Sequence, residues 1–370
     1  MILVRFGVGL LVAACALALV WAPASLAEEA ASTAPAPAGI AVDADGTVYV
    51  SDYAFDRVVK FAPDGTVLTQ WGGSGTNLGQ FNAPFGLAID DHSNVYVVDQ
   101  LNNRIERFAS DGTPASAWGS AGAGAGQLRT PLGAAYGEGR LYVADFGNDR
   151  VQIFGTDGSV IGAFGSRGTN DGQFQRPAAV AVDRDGSLYV TDHFNDRVEK
   201  FTSDGRFAGG MSTALSPVPT ASAPSSASST TTATPAATPS ATAVATPASA
   251  PTVSATATSA AAPEPILRRP EGIAVAGDGS LWVADYGHDR VVKLSSDGRL
   301  LQALGSTGSA AGEFVGPKGV AVDTLTGHLY VADTGNGRIQ RLGPDGTVEA
   351  MWNLPPAPGS PSSTVQSYLP

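Results

Sequence analysis

The chain has almost no cysteine and few charged residues, and both shortages limit what the protein can be. Its 370 residues include one cysteine, Cys15, which lies in an apolar stretch near the N-terminus. A chain cleaved after that stretch would have no thiol, so disulfides and cysteine chemistry would be excluded. Charged residues make up 15% of the chain, and the formal net charge is −12. Because an excess of acid repels phosphate backbones, we expect no nucleic-acid partner.

Motifs of common enzyme classes are missing as well. The sequence contains neither a Gly-x-Ser-x-Gly nucleophile elbow nor a phosphate-binding loop. Its four histidines show no metal-binding spacing such as His-x-x-His, and they are His92, His193, His288 and His328. These absences favour a protein without catalytic residues and without a resident cofactor.

The first 27 residues are typical of an export signal. Arg5 precedes an apolar run from Phe6 to Trp21, and the small residues of Ser25–Ala27 offer a cleavage site. Two alternatives stay open. Cys15 could be acylated as in a lipoprotein, or Ile2 to Trp21 could be an uncleaved anchor, since it is about long enough for a bilayer core of ~30 Å. We expect an extracytoplasmic protein, either secreted or tethered to the outer face of the membrane.

What the chain has in abundance is one repeated unit. In the copy from Leu141 to Gly165, a strand-like run ends in Asp145, a short turn leads to a second run that begins at Arg150, and an Asp-Gly pair precedes a third run. Alternating branched and aromatic residues suit a pleated sheet, and Asp-Gly suits a tight hairpin. The aspartate that ends the first of these runs recurs as Asp52, Asp99, Asp145, Asp192, Asp285 and Asp333.

The interval between the copies points to a fold. It is about 46 residues, except between Asp192 and Asp285, where an insertion roughly doubles it. Each unit also begins with a small apolar strand, as in Gly39–Asp43, which makes four strand signals per unit. The strand follows a glycine in five copies and Ala179 in the fourth. A period of 40–50 residues with four strands is typical of propeller blades. The connectors read Gly-Gln-Phe-x-x-Pro or similar, and we expect Phe81 and Phe174 to pack between adjacent blades.

These residues resemble the NHL repeat, whose pattern is P-x-G-[IV]-A-V-D, then LYVAD, then N-[DG]-R-[IV]-Q-[KR]-F. The resemblance covers about Gly39 to Trp352 apart from the insertion. It implies an all-β, six-bladed β-propeller of four-stranded antiparallel blades. It also implies interaction roles, as in the extracytoplasmic sensor domains of bacterial receptor kinases. Some similar propellers are lyases that use axial histidines and acidic residues, in some cases with a metal.

The repeats divide the chain into five parts. Residues 1–27 are the signal or anchor, 39–211 hold blades 1–4, 212–265 are an insertion, 266–352 hold blades 5 and 6 of the same propeller, and 353–370 are a disordered tail. The insertion consists almost entirely of Ala, Ser, Thr and Pro, so we expect it to be disordered and open to O-glycosylation. An alternative is a linker between a four-blade and a two-blade unit. No connector precedes blade 1, so blades 1 and 6 must meet through side chains or tail residues.

An Asp and an Arg five residues apart occur in every copy of the repeat. Because a scaffold element repeats whereas a site breaks symmetry, we interpret these pairs as structural bridges between the second and third strands. The alternative is a ring of charges around a ligand. The pairs are Asp52/Arg57, Asp99/Arg104, Asp145/Arg150, Asp192/Arg197, Asp285/Arg290 and Asp333/Arg338.

Positions at which the copies differ are better candidates for a binding site. They follow the repeated Asp or precede the glycine of the first strand, and we expect both sets on one loop face, with the second set near the axis. Glu271 and Lys318 belong to adjacent blades and could pair there. Aromatic and mixed-charge surfaces suit peptides and glycans. The candidate ligand-binding residues are Phe85, Leu132, Phe146, His193, Glu271, Tyr286 and Lys318.

The sequence therefore predicts an exported, non-catalytic propeller that binds a protein, peptide or cell-envelope glycan. We expect no catalytic residue, no cofactor and no metal, and membrane contact only if the N-terminal segment is retained or Cys15 is acylated. The alternative is a lyase or a lactonase-like hydrolase with a divalent metal near the propeller axis.

Overall fold

The computed structural model describes residues 34–211 and 265–356. The predicted signal at 1–27, the insertion up to residue 264 and the tail from 357 lie outside these ranges. Within them, no helix is long and apolar enough to cross a membrane.

The described residues form six sheets, and each sheet consists of four strands that follow one another in the chain and pair antiparallel. The predicted all-β, six-bladed propeller is thus confirmed. In chain order the strands are β1 Pro37–Val42, β2 Val48–Asp52, β3 Arg57–Phe61, β4 Val67–Gly72, β5 Pro84–Ile89, β6 Val95–Asp99, β7 Arg104–Phe108, β8 Pro114–Trp118, β9 Ala134–Gly137, β10 Arg140–Asp145, β11 Arg150–Gly155, β12 Val160–Phe164, β13 Pro177–Val182, β14 Leu188–Asp192, β15 Arg197–Phe201, β16 Phe207–Met211, β17 Pro270–Val275, β18 Leu281–Asp285, β19 Arg290–Leu294, β20 Leu300–Leu304, β21 Pro317–Val322, β22 Leu329–Asp333, β23 Arg338–Leu342 and β24 Val348–Asn353.

The turn between the second and third strands has one design throughout. The repeated Asp and Arg are the last residues in register before the turn, as Asp145 is opposite Arg150. In blades 3 to 6 a single turn of 3₁₀ helix fills the gap, and the next residue is left-handed, with φ 54° at Asp149. These helices are Phe146–Asn148, His193–Asn195, Tyr286–His288 and Thr334–Asn336.

The hydrophobic core lies between neighbouring blades. Phe81, from the connector, is fully buried and packs in one cluster with Tyr49 of blade 1 and Phe108 of blade 2. Phe174 and Phe314 occupy the same place at two later junctions, and Leu128 does so between blades 2 and 3. The connector residue thus plugs these four junctions, as the sequence predicted for Phe81 and Phe174.

The glycines of the first strands allow the blades to converge on the axis. A Cβ on Gly39 would lie 2.1 Å from the carbonyl oxygen of Phe85 in the next blade, and one on Gly319 would lie 2.2 Å from that of Ala38. Such contacts leave no room for a side chain. Small residues at the start of each repeat therefore set how closely the first strands surround the channel.

Blades 6 and 1 close the ring without sharing a strand. Trp352 of β24 stacks on Phe61 of blade 1 at a centroid distance of 5.7 Å, and Leu354 is buried in the same cluster. The guanidinium of Arg57 donates to the backbone oxygens of Pro355 and Pro356. Closure through side chains and tail residues agrees with the expectation. The predicted disordered tail at 353–370, however, begins too early, because the packed chain continues to residue 356.

Candidate functional site

The first strands of all six blades line a channel of 280 Å³ along the propeller axis. Of the positions that precede the first-strand glycine, Ala38, Phe85, Ala178, Glu271 and Lys318 line it. Leu132, the sixth, is 5% exposed and lies outside this lining. Its backbone N–H donates a hydrogen bond to the carbonyl oxygen of Ala144, in its own blade, at 3.0 Å. The predicted role of Leu132 in ligand binding therefore has no support from its position.

A histidine and a glutamate meet at the loop-face mouth of this channel. His193 begins the 3₁₀ turn after β14, and Glu271 is the second residue of β17 in the next blade. Their Nδ1 and Oε1 atoms are 3.3 Å apart, and both residues are buried. Thr191 donates its hydroxyl to the backbone oxygen of Glu271 at 2.7 Å, which ties the two blades together beside the pair.

Burial makes the charged form of each partner costly. It raises the pKa of Glu271 to about 7, an effect that the charge of Lys318 opposes. Burial also lowers the pKa of His193 to about 4, with Arg269 and Lys318 adding to the fall while the carbonyl of Pro270 and Asp196 oppose it. Near neutral pH the pair is therefore a neutral imidazole beside a carboxyl group that is close to half-ionised. It is not a His⁺–Glu⁻ salt bridge.

Two polar atoms of this pair are left without a hydrogen bond. They are His193 Nδ1 and Glu271 Oε2, both buried among the residues that the structure describes. Buried polar atoms are nearly always paired, and an unpaired one costs about 1–3 kcal/mol. A ligand that supplied hydrogen-bond donors at the mouth would remove that cost.

Aromatic rings surround the imidazole. The ring of Phe194 meets that of His193 edge-on at 4.7 Å between centroids, and the rings of Phe146 and Tyr286 lie at 6.0 and 6.5 Å. Phe146, His193 and Tyr286 follow the repeated Asp in three successive blades. The structure therefore brings these three predicted candidates together from blades 3, 4 and 5.

Lys318 occupies the other side of the mouth. Its Nζ lies 4.6 Å from the ring centroid of Tyr53 and 5.3 Å from that of Phe85, which are cation–π distances. Lys318 and Glu271 share the channel lining, and the charge of Lys318 acts on the Glu271 carboxyl. His193 lies within ion-pair distance of Glu271 as well.

The six repeated Asp–Arg pairs have nearly the same geometry. Their shortest N–O distances run from 2.7 to 3.0 Å, and all six aspartate side chains are fully buried. In blade 3, Asp145 also accepts from the backbone N–H of Arg129 and from Asn148, while Arg150 donates to the backbone oxygens of Gly124 and Gln127. The pair thus ties a blade to the connector that precedes it, which is a structural arrangement.

The remaining histidines are not at the mouth. His288 takes the place that asparagine holds in other blades, with Nδ1 2.9 Å from Asp285. His328 lies in the turn between the first and second strands and pairs with Glu349 at 2.9 Å. No group of three or more His, Cys, Asp or Glu side chains in ranges 34–211 and 265–356 could hold a metal ion. His193 and Glu271 alone do not make the three-residue donor set of a catalytic metal.

Sequence reasoning missed Phe194 and the arginines near it. Phe194 is 49% exposed although it follows His193 directly, and Arg176 and Arg269 precede the proline that opens β13 and β17. The available signal was the same one that selected the other candidates, namely that these positions differ between copies.

The six four-stranded blades around an axial channel define the protein as a six-bladed β-propeller. The family model of the NHL repeat matches three stretches of the sequence, residues 128–154, 267–294 and 314–342, which fall in blades 3, 5 and 6. The chain is thus a six-bladed propeller with NHL repeats in these three blades.

Solved structures with similar folds include several enzymes. Virginiamycin B lyase from Staphylococcus aureus, in a catalytically inactive form with quinupristin, is 16% identical, with coverage of 87% of this chain and 85% of that one and a TM-score of 0.52. A gluconolactonase from Xanthomonas campestris is 17% identical, with coverage of 82% and 84% and a TM-score of 0.53. Hydrazine synthase from Kuenenia stuttgartiensis is 12% identical, with coverage of 88% and 89% and a TM-score of 0.53. Identities this low show a common fold and no more. No curated protein matches the sequence.

Proposed function

We propose that the protein is a non-catalytic binding module whose loop-face channel mouth holds a polar ligand, such as a segment of a glycan or a peptide. The observation that carries the proposal is the pair of unpartnered buried atoms, His193 Nδ1 and Glu271 Oε2, within a mouth walled by aromatic rings. A concave site with a few convergent polar groups among aromatic side chains is the usual form of a ligand site.

The chemistry of the mouth limits the ligand. The Nδ1 atom of a neutral imidazole can accept a hydrogen bond, and a carboxyl oxygen accepts whether or not the group is ionised, so a ligand that donates through hydroxyl or N–H groups fits the mouth. The rings of Phe146 and Tyr286 offer flat apolar faces for the C–H side of a sugar ring or for a side chain of a peptide. Lys318 adds a donor and a positive charge on the far side. A hydroxyl-rich or amide-rich ligand satisfies all three requirements.

Binding measurements on matched variants test the proposal. The purified chain would be screened against arrays of cell-envelope oligosaccharides and of peptides, and each hit would be titrated by calorimetry. We expect Glu271→Gln, which exchanges an acceptor oxygen for a donor, to weaken binding about tenfold, or ~1.4 kcal/mol. Glu138→Gln makes the same change at an exposed residue of the β9–β10 turn and should leave affinity unaltered. Equal affinity of both variants would contradict a ligand at the mouth.

A second candidate is an acid–base enzyme that uses the same pair. It is favoured by the contact between His193 and Glu271, whose pKa values burial shifts in opposite directions, because perturbed pairs of this kind occur in active sites. In that case His193→Ala would abolish turnover of a lactone or ester panel while ligand binding persisted. If the wild-type protein turns over no member of the panel, the binding module is supported.

A further inference from the structure

Five arginines form a cationic crescent on the loop face of blades 3, 4 and 5. They lie in the connectors that precede blades 3, 4 and 5, and their side chains are exposed. The members of the cationic crescent are Arg129, Arg167, Arg176, Arg268 and Arg269. In a chain with net charge −12, such a group of cations on one side of one face calls for an explanation.

The crescent breaks the sixfold repeat of the fold. The two residues before the proline that opens each blade include an arginine in blades 3, 4 and 5. In the other half of the ring the same positions are uncharged, and they are Pro35 and Ala36, Asn82 and Ala83, and Val315 and Gly316. The junctions before blades 2 and 6 are plugged like those before blades 3 and 4 but have no arginine at these positions, so folding does not demand arginine there. A function confined to one half of the ring would account for the arginines.

The backbone presents two of these arginines in a fixed way. Arg176 and Arg269 have left-handed φ values of 62° and 49°. The N–H of Arg176 donates to Asp149 at 2.9 Å, and that of Arg269 donates to Asp196 at 2.7 Å. The two aspartates are thereby engaged with backbone N–H groups, which leaves the side chains of both arginines directed away from the fold.

Aromatic rings lie under the guanidinium groups. Arg176 is 5.1 Å from the ring centroid of Phe146, and Arg269 is 5.9 Å from that of Phe194. Stacking holds each guanidinium plane while its N–H groups stay available, and this arrangement suits bidentate binding of carboxylates. Phe194 keeps a half-exposed ring beside the charge.

Two grooves run between the blades along the crescent. One, of 440 Å³, is lined by Arg129, Arg167, Arg176 and Phe194 between blades 3 and 4. The other, of 300 Å³, is lined by Arg268, Arg269 and Tyr286 between blades 5 and 6. The grooves lie on either side of the His193–Glu271 mouth, so an extended ligand could follow the crescent across it.

We propose that the cationic crescent binds an acidic polysaccharide that carries carboxylates on its sugar rings. The proposal rests on the proposed function and names the ligand class of the same face. Guanidinium groups on successive blades can each bind a carboxylate of one long sugar chain, and the aromatic rings beside them suit the C–H faces of the sugars. The predicted export of the chain favours an envelope polysaccharide over a nucleic acid, which is a polyanion of the cell interior. An acidic polypeptide offers carboxylates but no rigid rings to lie on the aromatic side chains.

Polygalacturonate is the probe, with uncharged galactan as its neutral counterpart. The double variant Arg176→Ala/Arg269→Ala removes two crescent charges. Arg206→Ala/Arg299→Ala removes two charges from exposed turns between the third and fourth strands, where the side chains are 84% and 83% exposed. We expect the crescent variant to bind polygalacturonate at least tenfold more weakly than the wild type and the matched variant to bind within about twofold of it. Affinity should fall as salt rises, and galactan should bind weakly or not at all.

Several results would overturn the proposal. They are no binding of polygalacturonate by the wild type, equal losses in the two double variants, or equally tight crescent-dependent binding of polyuridylate or polyglutamate. Circular dichroism of each variant would show that the fold is retained. If Glu271→Gln loses its array ligand while the crescent variant keeps polygalacturonate, the crescent proposal fails and the proposed function stands. If the crescent variant alone loses polygalacturonate and Glu271→Gln binds every array ligand normally, the mouth is not the site.

Discussion

At one buried position of the third strand, some blades have a glutamine, which can both donate and accept hydrogen bonds, and others have a glutamate, which when ionised can only accept. Blades 3 and 6 have Gln152 and Gln340 there, and blade 4 has Glu199. In each case the side-chain oxygen accepts from a connector glycine, as Glu199 does from Gly172 at 3.2 Å. The glutamine also donates through Nε2 to a connector carbonyl and to the repeated aspartate. An ionised glutamate cannot donate. Arg197, at 3.1 Å, offsets part of its buried charge, while Asp192 faces it with like charge.

Replacing that glutamate should stabilise the protein. Burial raises the pKa of Glu199 to about 7, so ionisation above that pH costs folding free energy. We expect Glu199→Gln to raise the free energy of unfolding by ~1 kcal/mol at pH 8, the usual value of a regained hydrogen bond. At pH 4.5, where the glutamate is protonated, the gain should vanish. Thermal melts of the wild type and of Glu199→Gln at both pH values would measure this gain. The reverse change in blade 3, Gln152→Glu, should lower the melting temperature at pH 8.

Loss of a repeated arginine should have the opposite effect on stability. Arg150 is largely buried against the fully buried Asp145, so Arg150→Ala would leave an acceptor without its charged partner. We expect a loss of ~1–3 kcal/mol. Arg206→Ala, at the exposed pair with Asp204, is the control and should change stability by less than ~0.5 kcal/mol. Urea unfolding curves would measure both, and an unchanged midpoint for Arg150→Ala would refute a structural role.

At the scale of the element, the last packed residues of the chain make the contacts with blade 1 that connectors make with the other blades. In blade 2 the guanidinium of Arg104 donates to the backbone oxygens of residues 76, 77 and 80 in the connector before the blade. Blade 1 has no such connector, and Arg57 takes Pro355 and Pro356 in its place. The segment after β24 therefore completes blade 1 as the connectors complete the other blades.

Two truncations separate this segment from the residues after it. A chain that ends at Pro356 retains every closing contact described here, and its melting temperature should equal that of the full chain. A chain that ends at Asn353 loses buried Leu354 and the two carbonyls on Arg57. It should be less stable by about 2 kcal/mol or more, because a buried leucine side chain is worth that much. Equal melting of the two truncated chains would show that the segment does not close the ring.

The sequence predicted the strands and turns better than it predicted the contacts between blades and the contacts of the tail. Period, Asp-Gly turns and the NHL resemblance were enough for the blades and for the plug at Phe81, because the repeat shows which features are structural. The contact of His193 with Glu271 could not be read, since the two belong to different blades and are separated by the insertion. The packed tail was missed because a single leucine, Leu354, shows no periodic pattern and because Pro355 and Pro356 contribute backbone oxygens, which give no side-chain signal.

At the scale of the whole molecule, stability should be greatest in mildly acidic solution. The raised pKa values of Glu199 and Glu271 give stability that is present below their ordinary value of 4.5 and is lost as pH rises to about 7. His193 has the opposite effect on stability. Its pKa is lowered to about 4, so the stability that it contributes is lost as pH falls below 6.5. We expect the two glutamates together to outweigh this one histidine. Turn aspartates such as Asp278, whose pKa is lowered from 3.8 to about 2, also stabilise the protein. Their contribution is lost only when pH falls below about 3.8.

Melting temperature should therefore pass through a maximum between about pH 4 and 5.5 and should decline towards pH 8. The double variant Glu199→Gln/Glu271→Gln should make the decline less steep, because it removes two of the carboxyl groups whose pKa burial raises. Scanning calorimetry from pH 3 to 8.5 would give both profiles. A melting temperature that rises steadily from pH 5 to 7.5 would contradict the assignment.

Because every blade is made of four consecutive strands, no blade needs a strand from the far end of the chain. A circular permutant that joined residue 356 to residue 34 by a short linker and began at residue 265 would place its new ends at the junction of blades 4 and 5. The same six blades would then be read in the order 5, 6, 1, 2, 3, 4, with the loop-face mouth at the new seam.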